Sequence, residues 1–372
     1  MNRPVVIAVD VGGTKVKVGA VDVGPSGAGE ALATALQIAT PRVAPAAFYD
    51  AVAQLVQRVR AAAGSTGRRV LPVVAVAHPG RFLPDGRLAR GTTPNLGAAP
   101  NEFDGLAPAE ELARRLGGDV IAENDAVAQM RFGLGSLLRD PTLRPSLLGE
   151  TVIYLGPGTG MGGGVARVSA EGEVEAVTDG HLFDLQVPGW GDGTLTAEEL
   201  FTGEAVARRV KEANSRLPVP IEPATAEHVD RLLLDPGAAA AQRSEAARIA
   251  DEQGESLSRI IETVHAGRIV KVRLEASGDG RMRRHMDEPD RAWSAADCAV
   301  VRGARRFILG GSMGCSRGLG ARVRARALSA LRQRGQTEVS LIQIPVAPAD
   351  AGLLGVLQAI PTATIRRLSQ AA

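Results

Sequence analysis

The chain has 372 residues, too many for one small core and suited to two domains of ordinary size. Its hydrophobic fraction of 45% and charged fraction of 23% fit a soluble globular protein, and a net charge of +2 supplies no field to steer nucleic acid or a membrane. Two cysteines, Cys298 and Cys315, cannot build a disulfide framework or a four-thiolate zinc site, and no apolar run has the length of a bilayer span, so a cytoplasmic setting is expected.

Residues 4–9 read as a buried strand and 16–22 as its hairpin partner, joined through the glycine turn of DVGGTK. Their opening apolar run is too short for a signal peptide. Apolar residues at helical spacing over 45–63 predict a helix, and residues 70–77 a strand closed by His78-Pro79-Gly80. A stretch rich in Gly, Pro and Asn covers 80–106, before a helix that starts at Pro108 with acids in its first turn and ends in arginines and Gly117. The strand 119–122 runs into Glu123-Asn124-Asp125 and another helix. Residues 151–168, TVIYLGPGTGMGGGVARV, again read strand, glycine turn, strand, echoing residues 4–22. Two α/β halves that each open with such a loop imply a cleft between them. Residues 194–265 read as mainly helical. Residues 271–296 read as an exposed polar excursion, with Arg281, Arg283, Arg284 and His285 as a solvated run. A strand (RFILGG), a helix (GLGARVRARALSALRQRG), a strand (EVSLIQIP) and a helix (ADAGLLGVLQAI) complete the pattern.

Four stretches carry chemistry. In the first turn, Gly12, Gly13 and Thr14 lay backbone N–H groups open to a phosphate, Lys15 adds a point charge, and Asp10 can hold Mg²⁺ through water. A tight hairpin would also use these glycines. The second turn packs six glycines into residues 156–164, and close approach of Gly158, Thr159 and Gly160 to a ligand explains that density better than a plain hairpin. Gly310, Gly311, Ser312 and Met313 lie between a strand and a helix, where a helix N-terminus can take phosphate or ribose; such turns also use glycine without a ligand. Asn124 and Asp125 sit where a strand gives way to a helix, a place for a cap and equally for a catalytic carboxylate. An alcohol attacking a phosphoryl group needs its proton accepted and its oxygen aligned, which an Asp with an adjacent Asn can do.

Taken together, Asp10-Val-Gly-Gly-Thr-Lys, Glu123-Asn-Asp-Ala, the Leu-Gly-x-Gly-Thr-Gly-x-Gly-Gly-Gly loop and Leu309-Gly-Gly resemble the ROK family of sugar kinases, in the actin-like ATPase superfamily with hexokinase. The resemblance covers nearly the whole chain except 271–296. It implies two actin-like (ribonuclease H-like) α/β domains with an interdomain cleft. The smaller would comprise 1–120 with about 355–372, the larger 121–354. ATP and Mg²⁺ are the implied cofactors, a homodimer the implied assembly, and Asp125 the implied base. Substrate contacts implied by the family fall on Gly80, Arg81, Thr93, Asn95, Asn124, Asp125, His181 and Glu198.

Two departures bear on substrate. The family's Cys-x-Cys-Gly-x-x-Gly-Cys zinc segment corresponds to residues 189–196, which hold no thiolate, so no structural zinc is expected. The glutamate of the family's Glu-x-Gly-His element is Thr178, which removes a charged acceptor from the sugar side. The pattern is compatible with a C7-cyclitol of the 2-epi-5-epi-valiolone type as acceptor of a phosphoryl group on a primary hydroxyl. A glucokinase-like or N-acyl amino-sugar substrate stays open, as does a catalytically silent sugar-binding sensor. A DNA-binding regulator of this family carries a helix-turn-helix ahead of the kinase-like region, whereas the first phosphate loop here begins at residue 10. Neither nucleic acid nor membrane is expected as a partner.

Overall fold

The computed structural model describes residues 4–23, 29–93, 96–158, 160–177, 187, 195–267, 273–276, 282–285, 295–344 and 350–370. They fall into two compact units, one within Met1–Gly135 and Pro348–Ala372, the other within Ser136–Ser277 and Met282–Ala347. The first begins with β1 (Val5–Val11), β2 (Lys15–Val23), β3 (Gly29–Ala39) and α1 (Pro45–Ser65). It continues through β4 (Val70–His78), α2 (Pro108–Leu116), β5 (Asp119–Asn124) and α3 (Asp125–Leu138). In the second lie β6 (Thr151–Pro157), β7 (Met161–Val168), β8 (Val174–Ala176) and four helices, α4 (Ala197–Leu200), α5 (Gly203–Asn214), α6 (Ala226–Leu234) and α7 (Ala240–His265). There follow β9 (Arg273–Ala276), β10 (Met282–His285), α8 (Ala295–Val301), β11 (Arg306–Leu309), α9 (Gly311–Gly314), α10 (Leu319–Gln333) and β12 (Ser340–Gln343). The chain closes in the first unit with α11 (Ala351–Val356) and α12 (Thr362–Gln370).

The first sheet has the order β3-β2-β1-β4-β5, with β2 antiparallel to both neighbours and β1, β4 and β5 parallel. The second, taken from its antiparallel edge, runs β8-β7-β6-β11-β12 with the same directions. Both units thus follow one plan: a hairpin, a third antiparallel strand, then two parallel strands on the far side. The likeness of residues 4–22 to 151–168 is the sequence trace of that plan, and the α/β actin-like arrangement expected from the sequence is observed.

Both faces of the first sheet are covered, which is why β1 is almost uninterruptedly apolar. Val5, Ile7 and Val9 pack against Phe48, Val52 and Val56 of α1. The alternate residues Val6 and Ala8 pack with Leu353 and Val356 of α11 and Ala128 of α3. Asp10 continues that second face at the strand's end. In the second unit Ile153, Leu155, Phe307 and Leu309 join the core built from α5, α7 and α10. No helix among the described residues is long and apolar enough to cross a membrane.

Some expectations shift. Strand β5 pairs with β4 in the first sheet, so the first unit runs to Gly135 instead of ending near 120, and its C-terminal part starts at Pro348. Within the excursion at 271–296, β9 and β10 form a two-stranded ladder that pairs Arg283 with Glu275 and Arg284 with Leu274; Arg281 lies outside the described residues.

Candidate active site

The turn between β1 and β2 is closed by Gly12 N donating to Lys15 O at 2.9 Å. Its carbonyls are held from one side: Thr40 Oγ1 donates to Gly12 O and Arg42 Nη2 to Gly13 O, each at 2.6 Å, and Thr40 N to Thr14 O at 3.0 Å. The N–H groups of Gly13 and Thr14 have no hydrogen-bond partner among the described residues. A Cβ on Gly13 would meet nothing within 4 Å, and its φ is outside the left-handed region. Neither packing nor conformation therefore demands glycine there. Lys15 is exposed at the same turn.

Asp10 lies directly opposite Lys17 on β2, and a Cβ on Gly352 of α11 would fall 2.5 Å from the Asp10 carboxylate. Lys17 Nζ pairs with Asp350, the residue preceding α11. No hydrogen bond reaches the Asp10 carboxylate from the described residues. Burial pushes its pKa up to about 6, against the pull of Lys15 and Lys17 and with Asp350 adding to the rise. A confined carboxylate without donors suits a cation, so this residue fits the expected role at Mg²⁺.

At the parallel edge of this sheet, β5 passes into α3 without a loop. Asn124, 4% exposed, accepts at Oδ1 from Ala126 N (2.9 Å) and Val127 N (3.2 Å), capping the helix, while Nδ2 donates to Gly80 O at 2.9 Å. Gly80 has φ +106, and a Cβ there would meet Thr93 Cγ2 at 2.8 Å. The buried Thr93 Oγ1 has no hydrogen-bond partner among the described residues. Arg81 N donates to Thr92 Oγ1, which fixes the turn beyond Gly80. Beneath it, the buried His78 ring donates from Nδ1 to Pro79 O at 2.6 Å, which leaves Nε2 to accept from Tyr49 Oη at 3.3 Å. Burial holds His78 down to about 4, so it is uncharged.

Asp125 is the first residue of α3. Burial pushes its carboxyl up to about 7, and the charge of Asp10 adds to the rise. Asp10, Asn124, Asp125, Gly80 and Thr93 thus all belong to the first unit. Glu123, in register with Ala77 and Asp10 across the sheet, is paired with Arg131 Nε at 2.9 Å.

In the second unit β6 runs to Pro157 and β7 starts at Met161, so Gly162, Gly163 and Gly164 belong to the strand and not to the turn. The turn is strapped by Gly158 N donating to Gly160 O and Gly203 N to Gly158 O, both at 2.8 Å. Glu198, expected on substrate, accepts from Met161 N at 3.1 Å and so sits on this loop. A Cβ on Gly158 would come no nearer than 3.5 Å to Ser312 Oγ, ordinary contact, so Gly158 resembles Gly13 in having room to spare. Gly310 and Gly311 are different: there a Cβ would strike Tyr154 at 2.4 Å and Pro157 O at 2.3 Å. Met313 is buried in the core of this unit. Asn95, Thr159, His181, Thr178 and residues 189–194 lie outside the described residues. Lys17, Asp350, Gly352 and Tyr154 went unnoticed in the sequence; a lysine two residues from Lys15 on the same strand face was the available signal for Lys17.

No protein-family model matches the chain, and a search of curated proteins gives no match. Solved structures do match. The ROK hexokinase of Thermus thermophilus is 21% identical, with a TM-score of 0.57 over 98% of this chain and 99% of that one. A ROK family glucokinase of Streptomyces griseus, solved with glucose and AMPPNP, is 18% identical, with a TM-score of 0.61 over 95% of this chain and 98% of that one. A ROK family transcriptional regulator, a homolog of the E. coli MLC protein, is 11% identical at a TM-score of 0.61, covering 95% of this chain but 78% of its own. The chain therefore has the α/β fold that these ROK proteins share.

Proposed function

We propose that the protein is an ATP- and Mg²⁺-dependent kinase that phosphorylates a primary hydroxyl of a sugar or sugar-like cyclitol. The observation that carries the reading is Gly13, a glycine without internal cause whose N–H is unpaired beside the donor-free carboxylate of Asp10. Bound magnesium would neutralise charge on the transferred phosphate, with Asp10 holding it through water. Asp125 takes the acceptor's proton; a carboxyl raised to about 7 is a base matched to neutral pH. Thr93 Oγ1, buried and lacking a partner, is available to a substrate hydroxyl, and the second hydrogen on Asn124 Nδ2 can meet the same polyol. We also assign Gly158 and Ser312 to nucleotide binding.

Within this reading we favour a C7-cyclitol of the 2-epi-5-epi-valiolone type, because Thr178 offers no charged acceptor for an anomeric hydroxyl. A glucokinase or N-acyl amino-sugar kinase is the alternative. A silent sugar-binding sensor is the reading from another class; the likeness to a ROK regulator favours it, and the raised Asp125 opposes it. The deciding experiment is a coupled ADP-release screen over hexoses, N-acyl amino sugars and C7-cyclitols, with Asp125→Asn alongside. Turnover on one class, lost by at least about a hundredfold in Asp125→Asn, supports the kinase. Polyol binding without ADP release in any arm leaves the sensor.

A further inference from the structure

Tyr154, on β6 and 2% exposed, is one of two tyrosines in the chain. Its neighbours in register are Gly164 on β7 and Ile308 on β11, and Gly156 pairs with Gly162. Directly opposed residues of an antiparallel ladder share a face, so Tyr154 stands in a strip with Gly156, Gly162 and Gly164. A Cβ on Gly156 would fall 2.7 Å from Tyr154 Cε1, and one on Gly310 would fall 2.4 Å from both Cε2 and the hydroxyl. The hydroxyl accepts from Gly311 N at 3.1 Å. Gly311, at φ +67 with Pro157 O where a Cβ would stand, has no freedom to retreat.

We propose that Tyr154 is a positioning residue for nucleotide binding, a wedge that sets the spacing between Gly156–Gly158 at the end of β6 and the Gly310–Met313 turn. The inference rests on the kinase reading above. The β6–β11 ladder and Gly310 N, donating to Leu155 O at 2.8 Å, tie the two segments at their base, but beyond that point each glycine keeps wide conformational freedom. A rigid ring filling the space that Gly156 and Gly310 leave open removes that freedom, and its hydroxyl anchors the one N–H that starts α9. The glycines here therefore answer to Tyr154, whereas Gly158 stays open at the loop's tip.

The test uses ADP titrated calorimetrically into the full chain, with KM for ATP and for the best polyol measured in parallel. Tyr154→Phe keeps the wedge and loses the acceptor, and ADP affinity should fall about three- to tenfold. Tyr154→Leu should lose at least about thirtyfold, with the polyol KM within about twofold of wild type. Gly310→Ala should be as damaging as Tyr154→Leu, and combining the two should add almost nothing, because the methyl group then occupies the vacated ring space. ADP affinity unchanged in both Tyr154 variants, equal losses for ADP and polyol, or full additivity of the pair would each overturn the proposal. If Tyr154→Leu does not fold, the Phe variant alone decides. A wild-type chain that binds no ADP sinks the kinase reading together with this one; wild-type ADP binding with indifferent variants sinks only the role of Tyr154.

Discussion

Lys17 faces Asp10 across the β1–β2 ladder and gives its ammonium to Asp350, so one cation serves two carboxylates of the same unit. Replacing it with methionine leaves both acids without that counter-charge. The Asp10 pKa then climbs above about 6, and a larger share of the group is neutral at pH 7.5. We expect Lys17→Met to raise KM for MgATP about three- to tenfold and to cost about 1–3 kcal/mol at pH 8. The loss in urea titrations should shrink at pH 5, where Asp10 is mostly protonated. Equal losses at both pH values would assign the effect to packing instead.

Activity should follow the ionisation of Asp125. The base accepts a proton only as carboxylate, so kcat/KM rises through about pH 7 and levels above it. Stability runs the other way. A carboxyl whose folded pKa lies above its unfolded value stabilises fully below about pH 4, and that contribution is lost as pH rises through 6 to 7. Asp125→Asn, inactive as a kinase, should therefore exceed the wild type in stability by about 1–3 kcal/mol at pH 8 without nucleotide or metal. The two should converge at pH 4, and thermal melts across that range check it.

Glycines separate by cause. Gly13→Ala and Gly158→Ala should leave unfolding within about 0.5 kcal/mol of wild type, since a methyl group has room at both. Their KM for ATP should rise at least about tenfold, because the methyl group enters the space reserved for the ligand. By contrast, Gly355→Ala places a carbon 1.9 Å from Ala128 O and should cost more than about 3 kcal/mol through the α3–α11 contact. Denaturant curves and ATP kinetics on the three variants together test the distinction.

What the sequence made legible was local. Alternating valines on either side of Gly12-Gly13 announce a hairpin, and the same pattern at 151–168 announces its counterpart. Strand β3 went unseen because GEALATALQIA is rich in helix-forming Ala, Leu and Glu; pairing with β2 overrides that propensity. The density of glycine at 156–164 pointed to a ligand, yet Gly162 and Gly164 lie in β7 on the face of Tyr154, a packing reason no spacing rule exposes. Asp350 and Gly352 were invisible because their partners, Lys17 and Asp10, are more than 300 residues away in sequence.

Asn124 couples these levels and gives the sharpest test. Its Oδ1 caps α3 and its Nδ2 holds Gly80 O, so the side chain positions Asp125 before any substrate arrives. Asn124→Asp keeps the cap acceptor but turns a lone pair toward Gly80 O and sets a charge next to Asp125. The base should then titrate higher, moving the acidic limb of the kcat/KM profile upward by about one pH unit, with kcat at pH 7 down at least about tenfold. Asn124→Ala removes cap and brace and should cost about 2–3 kcal/mol of stability without moving that limb. A limb that stays fixed in Asn124→Asp would mean that Asp125 is not the group whose ionisation the profile reports.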